Sequence, residues 1–286
     1  MRQADSLQEI AFFPGCSLAT SSKENYESLD YFCQKIGYKL VEVPDWSCCG
    51  TSSAHSIDAK VALELPSRNL ALAPKQGTLL VACPSCYMRL VQTYDLLLRD
   101  EDKRRQFERR WDTSLPQELQ ITPFLSFLAQ VDMQPFFSQS GSPLNGMLFA
   151  PYYGCMLVSP ASMPSYTPVG RVMEDTLSRL GATPCNWTYA TKCCGTFLSA
   201  ARPDIITPRI NAMMQGAVAA GAECIVTACA MCHFNLEMRA TRREGIPVFH
   251  FSELLSIAAG AEGNYNWYKR HLIDPLPLLR EKELIK

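Results

Sequence analysis

Residues 79–86 read Leu-Leu-Val-Ala-Cys-Pro-Ser-Cys, and residues 225–232 read Ile-Val-Thr-Ala-Cys-Ala-Met-Cys. Each stretch joins a short, largely apolar run to a Cys-x-x-Cys motif. Such a run is typical of a buried strand, and we expect a helix to begin at the motif that follows it. The pattern therefore predicts a strand-to-helix turn that carries two cysteines, once in each half of the chain.

The other cysteines are duplicated in the same way. The first set is Cys16, Cys48, Cys49, Cys83 and Cys86, and the second is Cys155, Cys193, Cys194, Cys229 and Cys232, with shifts of 139 to 146 positions between them. In both sets the adjacent pair is followed by Gly-Thr. Ten cysteines at matched places predict two structurally equivalent repeats.

Strand-like and helix-like segments alternate through both repeats. We predict strands over Ile10–Phe13, Leu40–Val43, Leu79–Ala82, Met147–Ala150, Ile225–Ala228 and Val248–Phe251. We predict helices over Glu24–Ile36 and Val169–Leu180, and a third that begins at Thr207-Pro208 and runs to Ala220. This alternation favours an α/β fold with one mainly parallel sheet and flanking helices per repeat. We expect a first repeat over residues 1–138, a polar linker over 139–145 and a second repeat with a C-terminal tail over 146–286.

Composition narrows the classes of function. The 286 residues include 27 basic and 28 acidic side chains, so nothing favours a nucleic-acid partner. We see no stretch of about 20 apolar residues that would span a membrane, and no secretory signal at the N-terminus. We therefore expect a cytoplasmic protein, in which thiols are kept reduced. Thirteen cysteines then indicate metal or redox chemistry rather than disulfides.

The cysteine spacing favours iron–sulfur clusters, for which thiolates are the usual ligands. Two adjacent cysteines can serve one site only where the backbone turns sharply, which Gly50 and Gly195 permit. Zinc, held by four thiolates at most, is the alternative. Five cysteines per repeat exceed four, so either one is spare or the cluster has more iron positions than a four-cysteine site.

This pattern resembles the tandem cysteine-rich CCG domain, and in particular the B subunit of heterodisulfide reductase, over nearly the whole chain. The resemblance implies a non-cubane 4Fe–4S cluster on all five cysteines of each set. It implies two clusters that face each other across a pseudo-twofold cleft and reduce a disulfide such as CoM-S-S-CoB. Electrons would come from a partner subunit with ordinary 4Fe–4S clusters. The 33 and 34 residues between the pair and Cys-x-x-Cys are slightly fewer than the family often has, which indicates a trimmed loop.

Two other groups share the architecture: the CCG subunit of class E succinate dehydrogenase, and an iron–sulfur subunit of lactate-oxidising complexes. The cysteines do not separate them. We expect an oxidoreductase subunit that is active only within a complex. Its partners would be an iron–sulfur donor subunit and, in the succinate dehydrogenase case, a flavoprotein. A disulfide is the expected acceptor, with a quinone and peripheral membrane association as the alternative, and a zinc-stabilised structural protein is a further one.

We also expect particular roles for several residues outside the motifs. His233 follows Cys232 directly; we expect a surface or capping histidine, with a proton donor to a substrate thiolate as the alternative. Tyr152 and Tyr153 are expected to shape a turn, with substrate contact as their alternative. The segment Asn266–Lys286 is expected to be a packed tail, with an interfacial amphipathic segment as its alternative. We interpret Cys33, Cys185 and Cys224 as small buried hydrophobic residues.

Overall fold

The computed structural model describes residues 7–158, 169–241, 245–261 and 266–285. Each repeat contains one four-stranded sheet in which every strand pair is parallel. The strands are β1 (Gln8–Phe13), β2 (Tyr38–Glu42), β3 (Gln76–Val81), β4 (Glu118–Pro123), β5 (Leu148–Tyr152), β6 (Thr183–Pro184), β7 (Cys224–Thr227) and β8 (Val248–His250). The strand orders, β2-β1-β3-β4 and β6-β5-β7-β8, are the same in the two repeats, which confirms the predicted α/β fold.

Helices follow the strands and cover the sheets. They are α1 (Gly15–Ala19), α2 (Lys23–Lys35), α3 (Ala54–Ile57), α4 (Ala59–Leu72), α5 (Pro84–Arg99), α6 (Glu101–Trp111), α7 (Phe124–Leu128), α8 (Gln134–Ser140), α9 (Val172–Arg179), α10 (Pro203–Ala219), α11 (Ala230–Arg239), α12 (Phe251–Ala258) and α13 (Leu276–Glu281). Short 3-10 helices cover Thr196–Leu198 and Tyr268–Arg270. Connections between parallel strands need such crossovers.

The six predicted strands are present, but the sequence pattern does not predict β4 and β6. Both are edge strands of their sheets. The sequence of β4, Glu-Leu-Gln-Ile-Thr-Pro, mixes polar and apolar residues, and β6 is a Thr-Pro dipeptide. Exposed Glu118 and Gln120 interrupt the buried positions of β4, and β6 has only two residues, so the apolar run that reveals the other strands is missing here.

The predicted start of the third helix, at Thr207-Pro208, is wrong. Helix α10 begins at Pro203, which takes the first-turn position, and Pro208 lies inside the helix. Pro66 lies inside α4 in the same way. An interior proline removes one backbone hydrogen bond. Both repeats therefore accept this cost in the helix that precedes the Cys-x-x-Cys strand.

The two repeats pack against each other through equivalent helices. Helix α2 of the first repeat contacts α12 of the second, and α9 of the second contacts α7 of the first. Such reciprocal pairing is what a twofold relation produces. Buried polar contacts join α2 to α12: the Ser28 and Ser252 Oγ atoms are 2.7 Å apart, and Ser256 Oγ donates to the Ser28 carbonyl. Phe124 and Phe251 bring helices of the two repeats together in the core. The linker at 139–145 stays a prediction.

The C-terminal segment is packed rather than free. Trp267, Tyr268, Ile273 and Leu279 are buried, which confirms the packed-tail interpretation for residues 266–285. Across the four described stretches, no helix combines the length and apolar character needed to cross a membrane.

Candidate functional site

The first set of cysteines lies at the carboxyl edge of its sheet. Cys16 is in α1, directly after β1, and the adjacent pair lies in the loop after β2. Cys83 is the N-cap of α5 and Cys86 lies in its first turn, so the helix begins at the motif as predicted. Parallel strands place these connections at one edge. The Sγ atoms of Cys48 and Cys16 are 3.8 Å apart, and those of Cys49 and Cys86 are 3.1 Å apart.

The second set repeats this arrangement. Cys155 lies in the turn after β5, the adjacent pair follows β6, and Cys229 is the N-cap of α11. The Sγ atoms of Cys194 and Cys232 are 3.5 Å apart. All five cysteines of this set line one pocket, together with Met156, Phe197 and, from the first repeat, Pro84.

The two glycines after the cysteine pairs make the sharp turn that the sequence predicts. Gly50 has φ +75° and Gly195 has φ +76°, values that L side chains rarely adopt. The Gly50 N–H donates to the Cys48 sulfur at 3.4 Å, and the Gly195 N–H donates to the Cys193 sulfur at 3.3 Å. Backbone donors of this kind stabilise a thiolate, which is the form that binds metal.

The two sulfur groups meet at one contact between the repeats. The thiol of Cys229 hydrogen-bonds to the sulfur of Cys83, and this contact lowers the pKa of Cys83 well below its ordinary value. Both residues, with Cys86 and Cys232, are buried. The two sulfur groups, one from each half of a duplicated chain, thus adjoin at Cys83 and Cys229.

The outward-facing cysteines are more accessible, and one in each group is more acidic. Cys16 is exposed, and Cys48, Cys155 and Cys193 are half-buried. Contact with the Cys16 thiol, helped by the Cys49 thiol and the Gly50 N–H, lowers the pKa of Cys48 to about 2. The Cys155 thiol, the Gly195 N–H and the Arg209 guanidinium lower the pKa of Cys193 to about 6. One cysteine on the outer side of each group is therefore prepared as a thiolate.

Polar side chains that the sequence did not single out as functional hold the two cysteine loops. In the first repeat, Asn69 Oδ1 accepts from the Ser47 N–H at 2.8 Å, and its Nδ2 donates to the Ser47 carbonyl at 2.9 Å. In the second, Arg209 Nε donates to the Cys193 carbonyl and Asn235 Nδ2 donates to the Cys194 carbonyl. In the sequence, Asn69 and Asn211 take matching places in the two repeats, which could have pointed to this role. Asn211, however, accepts a hydrogen bond from the Thr241 N–H and does not hold the cysteine loop of its repeat in the way that Asn69 does.

His233 does not lie where the sequence suggests. It is 1% exposed, so the surface interpretation is wrong. Its Nδ1 is 3.1 Å from Asn25 Oδ1, and its Nε2 is 3.5 Å from Glu237 Oε1. It follows Cys232 in sequence, but its ring contacts α2 across the interface between the repeats.

The two tyrosines before Cys155 and the three cysteines outside the motifs are mostly buried or hydrogen-bonded within the protein. Tyr152 is fully buried and its hydroxyl donates to the Lys192 carbonyl at 2.6 Å. Tyr153 lines the pocket of the second cysteine group, and its hydroxyl donates to the Glu174 carboxylate. Cys33 and Cys224 are buried, as interpreted, whereas Cys185 is half-buried.

Fold and site together define a duplicated α/β protein with two adjoining groups of five cysteines. A family model described as "Cysteine-rich domain" (CCG) matches residues 10–91 and 149–237. The chain therefore belongs to the CCG cysteine-rich domain family and contains two copies of the domain.

Curated relatives match nearly the whole chain. It is 28% identical over 284 residues to the 8-methylmenaquinol:fumarate reductase membrane anchor subunit of Wolinella succinogenes, covering 95% of this chain and 99% of that one. It is 25% identical over 277 residues to the B subunit of the ferredoxin/F(420)H(2)-dependent CoB-CoM heterodisulfide reductase of Methanosarcina acetivorans, covering 89% and 90%. Among solved structures, a hypothetical protein from Helicobacter pylori matches with a TM-score of 0.69 at 11% identity, covering 93% of this chain and 52% of that chain. That likeness concerns the fold alone.

Proposed function

We propose that this chain is an electron-transferring oxidoreductase subunit that holds one iron–sulfur cluster in each repeat and works within a larger complex. The contact between Cys83 and Cys229 carries the proposal, because it joins two metal-binding groups into one region. Two clusters in adjoining groups would supply one-electron redox chemistry at adjacent positions.

The donor set fits iron–sulfur clusters. Each group offers five thiols, those of the second group line one pocket, and each adjacent cysteine pair receives a backbone N–H at one sulfur. Hydrogen bonds to cluster sulfurs are one of the ways by which proteins tune such centres. Zinc would use at most four of the five thiols and leave the fifth without a role. A non-cubane cluster that uses all five accounts for every cysteine that recurs in both repeats.

Each group has a buried side and an outward side, and these have different roles. The buried thiols of Cys83 and Cys229 meet between the repeats. The outward thiols of Cys16 and Cys155 lie nearer the surface, where a donor or an acceptor can approach. Burial on one side and access on the other allow electrons to enter and leave without opening the fold.

Exposed apolar side chains follow the outward cysteines in sequence. Ile57, after the first adjacent pair, is 76% exposed; Leu198, after the second, is 51% exposed; and Val158, after Cys155, is 42% exposed. Exposed apolar residues beside a site favour contact with an apolar partner surface or acceptor. They support assembly with an iron–sulfur donor subunit and, through it, a peripheral position at the membrane on the cytoplasmic side.

A disulfide is the acceptor that we propose first. Its reduction breaks the S–S bond and yields two thiols, with one electron and one proton taken up at each sulfur. Two adjoining centres can deliver these two electrons. The name of the Methanosarcina acetivorans relative, the B subunit of a CoB-CoM heterodisulfide reductase, supports this acceptor.

A quinone-linked role is the second candidate. It is favoured by the Wolinella relative, a membrane anchor subunit of an 8-methylmenaquinol:fumarate reductase that this chain covers over 99% of its length. The exposed apolar side chains suit this role as well. In this case a flavoprotein subunit would complete the complex, and a quinone or quinol would replace the disulfide.

An anaerobic assay on the native complex separates the two. The complex is reduced with a viologen, and its reoxidation is followed after addition of CoM-S-S-CoB or of a menaquinone analogue. Reoxidation by the disulfide supports the first acceptor, and reoxidation by the quinone supports the second. Cys193→Ser should abolish the reaction, whereas Cys185→Ser, outside the motifs, should retain it. If neither acceptor reoxidises the wild-type complex, both proposals are rejected.

A further inference from the structure

A second cluster of metal-binding side chains lies outside the cysteine groups. It consists of His233 on α11, Glu253 on α12 and His271 after the 3-10 helix Tyr268–Arg270, with Asn25 and Glu237 beside them. The side chains of His271 and Glu253 are 0% exposed and that of His233 is 2% exposed. Burial of so many polar groups is costly unless they are paired or bind a cation.

Hydrogen bonds orient both imidazole rings. His233 Nδ1 is 3.1 Å from Asn25 Oδ1, and His271 Nδ1 is 3.0 Å from Glu237 Oε1. With an oxygen acceptor at each Nδ1, one proton of each ring belongs there. The Nε2 of His271 also faces a carboxylate, Glu253, so a bound ion would displace the proton that these two groups share. A carboxylate or amide on the far nitrogen is the usual support of a metal-binding histidine.

The possible ligand atoms of the three residues converge. His271 Nε2 is 2.8 Å from Glu253 Oε1. His233 Nε2 is buried and, within the described part of the chain, makes no hydrogen bond, the Glu237 carboxylate being 3.5 Å away. One ligand atom from each of the three residues lies within 4.8 Å of the others. Ligands of a tetrahedral zinc ion, at about 2.0–2.1 Å from the metal, are separated by about 3.3 Å, so small side-chain shifts would suffice.

We propose that His233, His271 and Glu253 bind one divalent first-row transition ion such as Zn²⁺, at a site distinct from the ten motif cysteines. Two imidazoles and one carboxylate form a donor set typical of such ions. The ion would give His233 Nε2 a closer partner than the Glu237 carboxylate at 3.5 Å, and it would replace the proton between His271 and Glu253.

The position of this site indicates what the ion would do. The ion would link His271 of the C-terminal segment to His233 on helix α11, and His233 directly follows Cys232. The first repeat has Tyr87 after Cys86 and Ser126 in the third position of α7, where the second repeat has His233 and Glu253. The ion would therefore support only the second cysteine group and make the two centres unequal.

X-ray absorption at the zinc edge tests the proposal on the wild-type chain with its cysteine sites loaded anaerobically with iron and sulfide. After removal of loosely bound metal and addition of one equivalent of Zn²⁺, we expect a shell of nitrogen and oxygen ligands at about 2.0–2.1 Å. A shell of sulfur ligands, or failure to retain zinc, would overturn the proposal.

Cobalt binding to the same loaded chain gives an independent readout with variants. Co²⁺ should bind once per chain with visible d–d bands and without sulfur-to-cobalt charge transfer. Glu253→Gln and His271→Gln should each remove these bands, and Glu237→Gln should weaken binding about 10–100-fold. His55→Gln, at an exposed histidine, is the matched control and should leave binding unchanged. Retention of the bands in both Glu253→Gln and His271→Gln would contradict the ligand assignment.

Discussion

Replacement of Gly15 by alanine should remove the first metal centre alone. Gly15 has φ +74°, and a Cβ built on it lies 2.8 Å from the Cys86 sulfur. Non-bonded heavy atoms rest about 3.5–4.0 Å apart, so the sulfur must move by roughly 0.7–1.2 Å. Metal sites tolerate only about ±0.2 Å in ligand distance. The substitution therefore displaces a proposed ligand well beyond what a bound centre allows.

Two control variants separate this displacement from backbone strain. Gly154, at the corresponding place in the second repeat, has φ +67°, but its added Cβ would lie 3.5 Å from the Cys232 sulfur, an ordinary contact. Gly37 has φ +91° and open space around it. Alanine at either position costs about 1–2 kcal/mol for the left-handed backbone without moving a sulfur.

Iron and acid-labile sulfide, measured per chain on anaerobically prepared protein, give the readout. Gly15→Ala should contain about half the iron and sulfide of the wild type, whereas Gly154→Ala and Gly37→Ala should keep the full amount. Full occupancy in Gly15→Ala would show that Cys86 is not held as a ligand in the way described. Equal losses in all three variants would assign the effect to strain rather than to the sulfur.

Two further substitutions test the supports of the site. Asn69→Ala should destabilise the chain by about 1–3 kcal/mol and lower the iron content of the first centre, because the Ser47 backbone loses two hydrogen bonds. Asn211→Ala, at the matching position of the second repeat, should have a smaller effect. Equal iron loss in both variants would contradict this role of Asn69. Ser256→Leu should overpack the contact between α12 and α2, cost about 1–3 kcal/mol of stability and lower the thermal unfolding midpoint. Ser178→Leu, on an exposed helical face, should leave the midpoint unchanged. An unchanged midpoint in Ser256→Leu would exclude tight packing at that interface.

Features encoded by neighbouring residues could be predicted from the sequence. The strand before each Cys-x-x-Cys motif, the helix that begins at the motif and the sharp turn at Gly50 and Gly195 all depend on a few consecutive residues. The duplication added the expectation of two equal sheets. These parts of the fold are predictable because apolar runs and glycines act locally.

Features that depend on distant residues could not be predicted. The sequence suggests a surface or capping position for His233, but the residue is buried and its partner Asn25 lies 208 positions away in the first repeat. The contact of Cys83 with Cys229 likewise arises only when the repeats pack together. The start of α10 is hard to predict because two prolines could take the first turn; Pro203 does so, and Pro208 lies inside the helix.

Metal and sulfide analysis of the anaerobically purified wild-type chain tests the central claim most directly. If two sulfur groups hold iron–sulfur clusters, the protein is coloured and contains several iron and sulfide ions per chain, distributed over both repeats. A colourless protein that binds zinc through its motif cysteines and contains no sulfide would contradict the account.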